Sequence, residues 1–80
     1  MKIPRDVSAS QLIKALKKLG YESTRQTGSH IRLTTTQNGQ HHITIPNHSP
    51  LKLGTFSGIL NEIAKHFGKS KQEIVDILFA

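Results

Sequence analysis

The chain has 80 residues, 35% of them apolar and 20% charged, which fits one small globular domain spanning residues 1–80. It contains no cysteine, so a disulfide scaffold, a cysteine-ligated zinc site and a thiol nucleophile are excluded. Eleven Lys and Arg residues against five Asp and Glu give a net charge of +6. This basic excess favours a polyanionic partner, most simply nucleic acid.

The sequence shows no membrane or secretory signal. No apolar run approaches the roughly 18 residues of a membrane span. The segment Met1–Asp6 lacks the apolar core of a signal peptide. Together with the absence of cysteine, this predicts a cytoplasmic protein.

Residues 8–20 predict a first helix. Ser8 is the expected N-cap, and Gln11 completes a capping box. Four apolar residues recur at helical spacing and form one stripe: Leu12, Ile13, Leu16 and Leu19. Gly20 is expected to end the helix in a left-handed conformation.

Three strands are expected to follow. The first is predicted at Tyr21–Gln26, the second at His30–Thr36 and the third at His41–Pro46. Thr27-Gly28 predicts the turn between the first two strands, and Asn38-Gly39 marks a hairpin between the last two.

Apolar alternation determines the register of that hairpin. Ile31 and Leu33 share one face of the second strand, and Ile43 and Ile45 share one face of the third. The two pairs meet only if Leu33 lies opposite Ile43, because a one-residue slip moves a whole apolar set to the other face. A two-residue turn would instead place Ile43 opposite Thr34, on the wrong face. We therefore expect a three-residue loop, Gln37–Gly39, with Gly39 in a left-handed bulge.

Two further helices complete the pattern. The second is expected from about Gly54 to Phe67 and ends at Gly68, and a capping box at Ser70–Glu73 opens a short third helix. Their apolar stripes contain Phe56, Ile59, Leu60, Ile63, Ala64 and Phe67 in the second helix and Ile74, Ile77 and Leu78 in the third. The order α-β-β-β-α-α predicts an α+β fold in which a three-stranded antiparallel sheet carries helices on one face.

The opposite face of this sheet is the expected partner surface. The register places His30, Arg32 and Thr34 on it, next to Pro46, Thr44 and His42 of the third strand. This face is polar and basic, and no helix is assigned to cover it.

His30 is the candidate catalytic residue on this face. It follows Gly28-Ser29, where glycine lets a phosphate approach closely and the turn's N–H groups can donate to phosphate oxygens. Histidine, with an unperturbed pKa of about 6.5, suits general-base catalysis, which in RNA cleavage means removing the proton of a 2′-hydroxyl. The alternative interpretation is an ordinary polar residue at the start of a strand.

The positions of the other histidines indicate whether they could serve a catalytic or metal-binding role. His42 lies level with Thr34, four residues from His30 and about 13 Å away at ~3.3 Å per residue, which argues against a second catalytic role. His48 lies beyond Pro46, near the His30 end, and is the candidate acid or phosphate contact, with a solvated loop histidine as the alternative. His41 and His42 cannot chelate one ion, because adjacent strand residues point to opposite faces. We expect no metal and no cofactor.

Arg25, Arg32 and Lys52 are the candidate phosphate-binding cations. The lysines of the first helix are weaker candidates, because a lysine row is usually a solvated face. Tyr21 is the one aromatic residue suited to stack on a base, with a core position as the alternative, so the platform of an RRM or OB fold is missing. His66, on the last turn of the second helix, is expected to complement the helix dipole.

Several segments, in this order, carry a family resemblance. In the first half they are Leu12-Ile13, Leu16–Tyr21 (LKKLGY) and Arg25–His30 (RQTGSH). In the second half they are Ile45–His48 (IPNH), Leu51–Phe56 (LKLGTF) and Ile59-Leu60. Gly-Ser-His, Pro-x-His and Gly-Thr at these spacings form a fairly specific combination. Over roughly residues 8 to 68 the chain resembles the HicA family of bacterial and archaeal toxins.

The resemblance implies a fold like that of double-stranded-RNA-binding domains. It also implies a metal-independent, ribosome-independent endoribonuclease that cleaves messenger RNA, halts growth and is neutralised by a HicB antitoxin. The family's catalytic histidine is the one in Gly-Ser-His, here His30. The chain departs from the family pattern in having Ile31 after this motif and in continuing past Gly68 with a capped helix, which either completes the core or docks a partner.

Three functions stay open from the sequence. The first is a ribonuclease toxin with His30 as general base and with phosphate contacts from Gly28, Ser29, Arg25, Arg32 and Lys52. The second is a non-catalytic double-stranded-RNA-binding module, which needs basic residues at a helix N-terminus. The third is a basic protein-interaction domain with an acidic partner, which is compatible with the first.

Overall fold

The computed structural model describes residues 4–79. Its elements are α1 (Ala9–Leu16), a 3₁₀ turn (Lys17–Leu19), β1 (Glu22–Thr27), β2 (His30–Thr35), β3 (His41–Pro46), α2 (Leu53–Phe67) and α3 (Lys71–Phe79). This order confirms the predicted α-β-β-β-α-α arrangement. None of these helices is long and apolar enough to cross a membrane.

The predicted helix caps are present. Ser8 Oγ accepts from the Gln11 N–H at 3.1 Å, and Gln11 Oε1 accepts from the Ser8 N–H at 2.8 Å. The last turn of the first helix tightens into the 3₁₀ turn, and Gly20 follows with a φ of +80°. Ser70 and Glu73 form the same reciprocal pair of bonds, at 3.0 and 3.1 Å, at the start of α3. These local bonds set where the helices begin.

The sheet has the predicted hairpin register. The strands lie in the order β1-β2-β3, and both neighbouring pairs are antiparallel. Leu33 lies opposite Ile43 and Ile31 lies opposite Ile45, and all four side chains are buried. The apolar alternation of the two strands therefore predicted the register of the hairpin correctly.

Three strand boundaries were predicted wrongly, both ends of β1 and the end of β2. β1 spans Glu22–Thr27 rather than Tyr21–Gln26. Tyr21 is fully buried, and its N–H donates to the Leu16 carbonyl at 3.2 Å, so it belongs to the end of the first helical segment. β2 ends at Thr35 rather than at Thr36.

The loop between β2 and β3 is longer than predicted. Pairing ends at Thr35 and His41, so the loop runs from residue 36 to residue 40 instead of from 37 to 39. The loop's polar groups bond elsewhere: His66 Nε2 lies 2.9 Å from the Gln37 carbonyl and 3.1 Å from the Gly39 carbonyl. The predicted loop and the observed loop both contain an odd number of residues. Leu33 therefore still lies opposite Ile43, as predicted. Gly39 has the expected positive φ, +95°.

The helices cover one face of the sheet and build the core with it. The buried apolar side chains are Val7, Ala9, Leu12, Leu16, Leu19, Tyr21, Ile31, Leu33, Ile43, Ile45, Leu51, Phe56, Ile59, Leu60, Ile63, Ala64, Ile74, Val75 and Leu78. α3 joins this core through Ile74 and Leu78, as predicted, and also through Val75. Lys18 Nζ donates to the Leu78 carbonyl at 3.3 Å, which ties the end of α3 to the first helical segment.

The other face of the sheet, called the outer face below, has no helix against it among residues 4–79. Five of its side chains are exposed, Arg25, His30, Arg32, His42 and Thr44, whereas Thr34 is half-buried. All six residues of the edge strand β1 are exposed. An open three-stranded antiparallel sheet with helices on one side is the α+β, double-stranded-RNA-binding-domain-like fold that the sequence predicts.

Candidate active site

A tight turn presents His30 at the start of β2. Thr27 pairs with His30 across the β1–β2 hairpin, so Gly28 and Ser29 are the two turn residues. Gly28 has a φ of +55°, the positive value that a type II′ turn requires at its first central position. The Asn47 N–H donates to the Ser29 carbonyl at 2.6 Å. The turn is thereby tied to the segment that follows β3.

A second cation, Arg25, lies beside His30 on the outer face. The two-residue turn that pairs Thr27 with His30 also places Arg25 opposite Arg32. A β-bulge then shifts the register between Arg25 and Ser23, which lies opposite Leu33. The extra residue re-aims the side chains that precede it, so Glu22 rather than Ser23 lies opposite Thr34. Sequence reasoning missed the bulge, because the all-polar strand Glu22–Thr27 offers no apolar alternation from which to read a register.

Five side chains form a small cleft on the outer face, here called the His30 cleft. It has a volume of about 190 Å³ and is lined by Arg25, Thr27, His30, Arg32 and Thr44. No hydrogen bond within residues 4–79 holds the His30 ring. The cleft thus combines an imidazole that has no hydrogen-bond partner among residues 4–79 with two guanidinium groups suited to phosphate oxygens.

Two predicted site residues lie away from this cleft, and the Gly28-Ser29 turn adjoins it without lining it. His48 is exposed, on the loop after β3, and its carbonyl accepts from the Ala9 N–H at 3.1 Å. Lys52 is the N-cap residue of α2 and is also exposed. Neither side chain lines the His30 cleft. The structure therefore brings together His30, Arg25 and Arg32, with the Gly28-Ser29 turn at one side.

His42 lies at the other end of the outer face, as predicted. It pairs with Thr34, whereas His30 pairs with Pro46. Its Nδ1 atom lies 2.7 Å from Thr34 Oγ1, and Thr34 Oγ1 lies 3.3 Å from Thr24 Oγ1. One hydrogen-bonded row therefore crosses all three strands.

His66, in the last turn of α2, also binds the loop between β2 and β3. Carbonyl oxygens only accept hydrogen bonds, so the His66 Nε2 atom that contacts the Gln37 and Gly39 carbonyls must carry a proton. Its ring stacks on His41, whose Nδ1 atom is 2.8 Å from the Tyr21 hydroxyl. Burial, followed by the charge of Glu62, raises the pKa of Tyr21 to about 12, so the hydroxyl keeps its proton at neutral pH and shares a hydrogen bond with His41 Nδ1 whose direction follows the ring's tautomer. Tyr21 is a core residue and does not stack on a ligand.

Within residues 4–79, no group of three or more His, Asp or Glu side chains is arranged to hold a metal ion. His41 and His42 belong to different contacts, since His41 meets Tyr21 and His66 whereas His42 meets Thr34. The chemistry available at the His30 cleft is that of an imidazole and two guanidinium groups.

Residues 9–68 match the family model described as the HicA toxin of bacterial toxin–antitoxin systems. This match covers most of the chain. The chain belongs to the HicA toxin family. No curated protein and no solved structure gives a significant match.

Membership in the HicA family makes this chain the toxin of a toxin–antitoxin system, whose partner is an antitoxin. The matched residues include the first helical segment, the whole sheet and α2, and they end at Gly68. α3 therefore lies beyond the family model, although it contributes three buried side chains to the core of this HicA toxin.

Proposed function

We propose that this HicA toxin is a metal-independent endoribonuclease that cleaves messenger RNA, with His30 as the general base. The observation that carries the proposal is the His30 cleft, in which an exposed imidazole shares about 190 Å³ with two arginine side chains. The net charge of +6 provides the long-range attraction for a polyanionic substrate.

The arrangement of the two arginines supports phosphate binding. Arg25 and Arg32 are direct cross-strand partners, and like charges in that position destabilise a sheet. A phosphate that accepts from both guanidinium groups replaces this repulsion with charge-assisted hydrogen bonds. The pair is therefore better explained as an anion-binding site than as a structural contact.

The proposed reaction uses the 2′-hydroxyl of the RNA as nucleophile. His30 removes the proton of this hydroxyl, and the 2′-oxygen attacks the neighbouring phosphorus. The bond to the 5′-oxygen breaks, and a general acid returns a proton to that oxygen. The products are a 2′,3′-cyclic phosphate and a 5′-hydroxyl. General acid–base catalysis of this kind contributes about 10²–10⁴-fold to the rate.

The remaining groups have positioning roles in this proposal. A Cβ at Gly28 would meet nothing within 4 Å, so the turn is open to an approaching phosphate, and the Ser29 N–H is a candidate donor. Arg25 and Arg32 stabilise the negative charge that builds up on the phosphate oxygens. His48 is retained as the candidate acid and Lys52 as a candidate RNA contact. The resemblance also points to a HicB protein as the antitoxin.

A non-catalytic double-stranded-RNA-binding module is disfavoured by one feature of α2. Lys52 caps this helix, but the first turn, Leu53–Phe56, contains no basic residue. A duplex-binding helix needs several cations that reach the phosphates across the A-form major groove. The cations of the sheet are instead concentrated in the His30 cleft.

The test is expression of the wild type, His30→Ala and Gln40→Ala in a bacterial host, with growth and messenger RNA integrity followed. Gln40 is an exposed loop residue outside the cleft and serves as the matched control. We expect the wild type and Gln40→Ala to arrest growth and fragment messenger RNA, and His30→Ala to do neither.

Purified proteins should reproduce this pattern in the presence of a chelator, and the products should carry 5′-hydroxyl and cyclic phosphate ends. Growth arrest by a folded His30→Ala protein would refute the catalytic assignment. Cleavage that requires an added divalent cation would refute the metal-independent mechanism.

A further inference from the structure

A larger cleft lies at the β3 edge of the sheet, beyond the end of the outer face that carries His42. This edge cleft has a volume of about 550 Å³ and is lined by His41, His42, Glu62, Lys65 and His66. Its volume falls within the range of pockets that bind small organic ligands. The proposed catalytic step uses none of these five residues.

His42 connects the edge cleft to the outer face. Its Nδ1 atom is held by Thr34 Oγ1 at 2.7 Å, and Thr34 is in turn within 3.3 Å of Thr24 Oγ1. The Thr24 hydroxyl also lies 3.4 Å from the Arg32 carbonyl, to which it donates. This row fixes the ring of an exposed histidine and leaves its Nε2 atom for a ligand.

The charges at this end of the sheet are mixed, in contrast to the two arginines of the His30 cleft. Glu62 lines the edge cleft together with Lys65, and Glu22 pairs with Thr34 and so shares its face. Carboxylates repel phosphate but accept hydrogen bonds from amino and imino groups. The cleft therefore offers imidazole faces together with hydrogen-bond donors and acceptors, which are the groups that bind a nucleobase.

The distance between the two clefts suits a single RNA strand. His42 is level with Thr34, four residues along β2 from His30, which is about 13 Å at ~3.3 Å per residue. At the ~3.4 Å rise of a stacked strand, this distance corresponds to about four nucleotides. Arg32 lies midway along this path, on the same face, with its side chain exposed.

We propose that the edge cleft binds one nucleobase of a single-stranded RNA whose scissile phosphate lies in the His30 cleft. The inference rests on the proposed function and adds a substrate class and a specificity site to it. His42 contacts the base. Thr34 is a positioning residue that acts through the His42 ring. A base in an A-form duplex remains stacked and paired and cannot enter such a cleft.

The test measures binding, so it does not depend on cleavage. The parent protein is His30→Ala, and the probes are fluorescent octaribonucleotides made of A, C, G or U alone, followed by anisotropy. We expect the parent to prefer its best homopolymer over its worst by about tenfold, the effect of one hydrogen bond near 1.4 kcal/mol. In the same parent, Thr34→Val and His42→Ala should each reduce that ratio to about twofold or less.

Two further variants serve as controls in the same parent. Thr34→Ser keeps the hydroxyl and should retain the tenfold ratio between the best and the worst homopolymer. If Thr34 acted only through the packing of its methyl group, Thr34→Ser would lower this ratio. Glu62→Gln replaces an acceptor-only group with one that also donates, and it should change which homopolymer binds best. Because Glu62 is exposed, this variant remains informative if Thr34→Val fails to fold.

Equal binding of all four homopolymers by the parent would overturn the inference, as would an unchanged ratio in folded Thr34→Val and His42→Ala proteins. Absence of any RNA binding would overturn both the inference and the proposed function. Base discrimination by the parent without RNA cleavage by the wild type would refute the nuclease and leave the nucleobase site standing.

Discussion

The imidazole rings of His41 and His66 stack with their centroids 4.4 Å apart and their planes 11° from parallel. This contact joins the start of β3 to the last turn of α2, and His66 Nε2 adds hydrogen bonds to the intervening loop. Burial and, next, the charge of His66 lower the pKa of His41, with a smaller contribution from His42 and an opposing one from Glu62.

The lowered pKa of His41 predicts a loss of stability in acid. A pKa below the unfolded value of about 6.5 means that the unfolded chain binds the proton more tightly. The contribution of His41 is therefore fully present above pH 6.5 and is lost as the pH falls through the folded-state pKa. In urea unfolding measured from pH 7.5 to 5, His41→Gln should flatten the pH dependence, and Gln40→Ala should keep it. An unchanged slope in His41→Gln would show that other groups cause the acid sensitivity.

Thr35→Val is expected to lower the free energy of unfolding by about 1–3 kcal/mol. The Thr35 side chain is 1% exposed. Its hydroxyl donates to the Leu19 carbonyl at 2.7 Å and accepts from the Gln37 N–H at 3.1 Å, so valine leaves a buried carbonyl without its donor. The neighbouring exposed substitution Thr36→Val is the control and should stay within about ±0.5 kcal/mol. Equal effects of the two substitutions in urea titrations would contradict this account.

Alanine substitutions at two glycines are expected to have opposite signs. At Gly20, with a φ of +80°, an added Cβ would lie 2.7 Å from Gln37 Nε2 and 2.9 Å from Thr35 Oγ1, so Gly20→Ala should destabilise by about 1–3 kcal/mol. At Gly58, inside α2, the added Cβ meets nothing within 4 Å, and Gly58→Ala should stabilise by about 0.5–1 kcal/mol. Thermal and urea unfolding measure both changes in stability. Destabilisation by Gly58→Ala would contradict the absence of neighbouring atoms around the added Cβ.

The salt dependence of RNA binding should report the two arginines of the His30 cleft. For a single strand, log affinity falls with log salt by about 0.7 for each phosphate neutralised. In the His30→Ala protein, Arg25→Gln and Arg32→Gln should each reduce this slope by about 0.7. Arg5→Gln should leave it unchanged, because Arg5 lines a different groove, beside α1. A reduction by Arg5→Gln equal to that of the cleft arginines would indicate non-specific attraction to the whole chain.

The hairpin register and the helix caps were predictable because local chemistry specifies them. Ile31, Leu33, Ile43 and Ile45 admit one shared face, and Ser8 and Gln11 lie within one helical turn of each other. The same reasoning predicted that His42 lies far from His30 along the sheet.

Long-range contacts explain what sequence reasoning missed. The loop after β2 has five residues because His66, nearly thirty residues away, bonds its carbonyls. Thr35 is buried because a carbonyl of the first helical segment needs a donor. The bulge between Ser23 and Arg25 had no signal in a strand that lacks apolar residues. The edge cleft arises only when β3 packs beside α2.

The alternation of side chains across β2 and β3 has an evolutionary consequence. His30, Arg32, Thr44 and His42 share their strands with Ile31, Leu33, Ile43 and Ile45, but they face away from them. Substitutions on the outer face therefore leave the buried side chains of the same strands in place. The surface of the sheet can diverge between related chains while the scaffold beneath it is inherited intact.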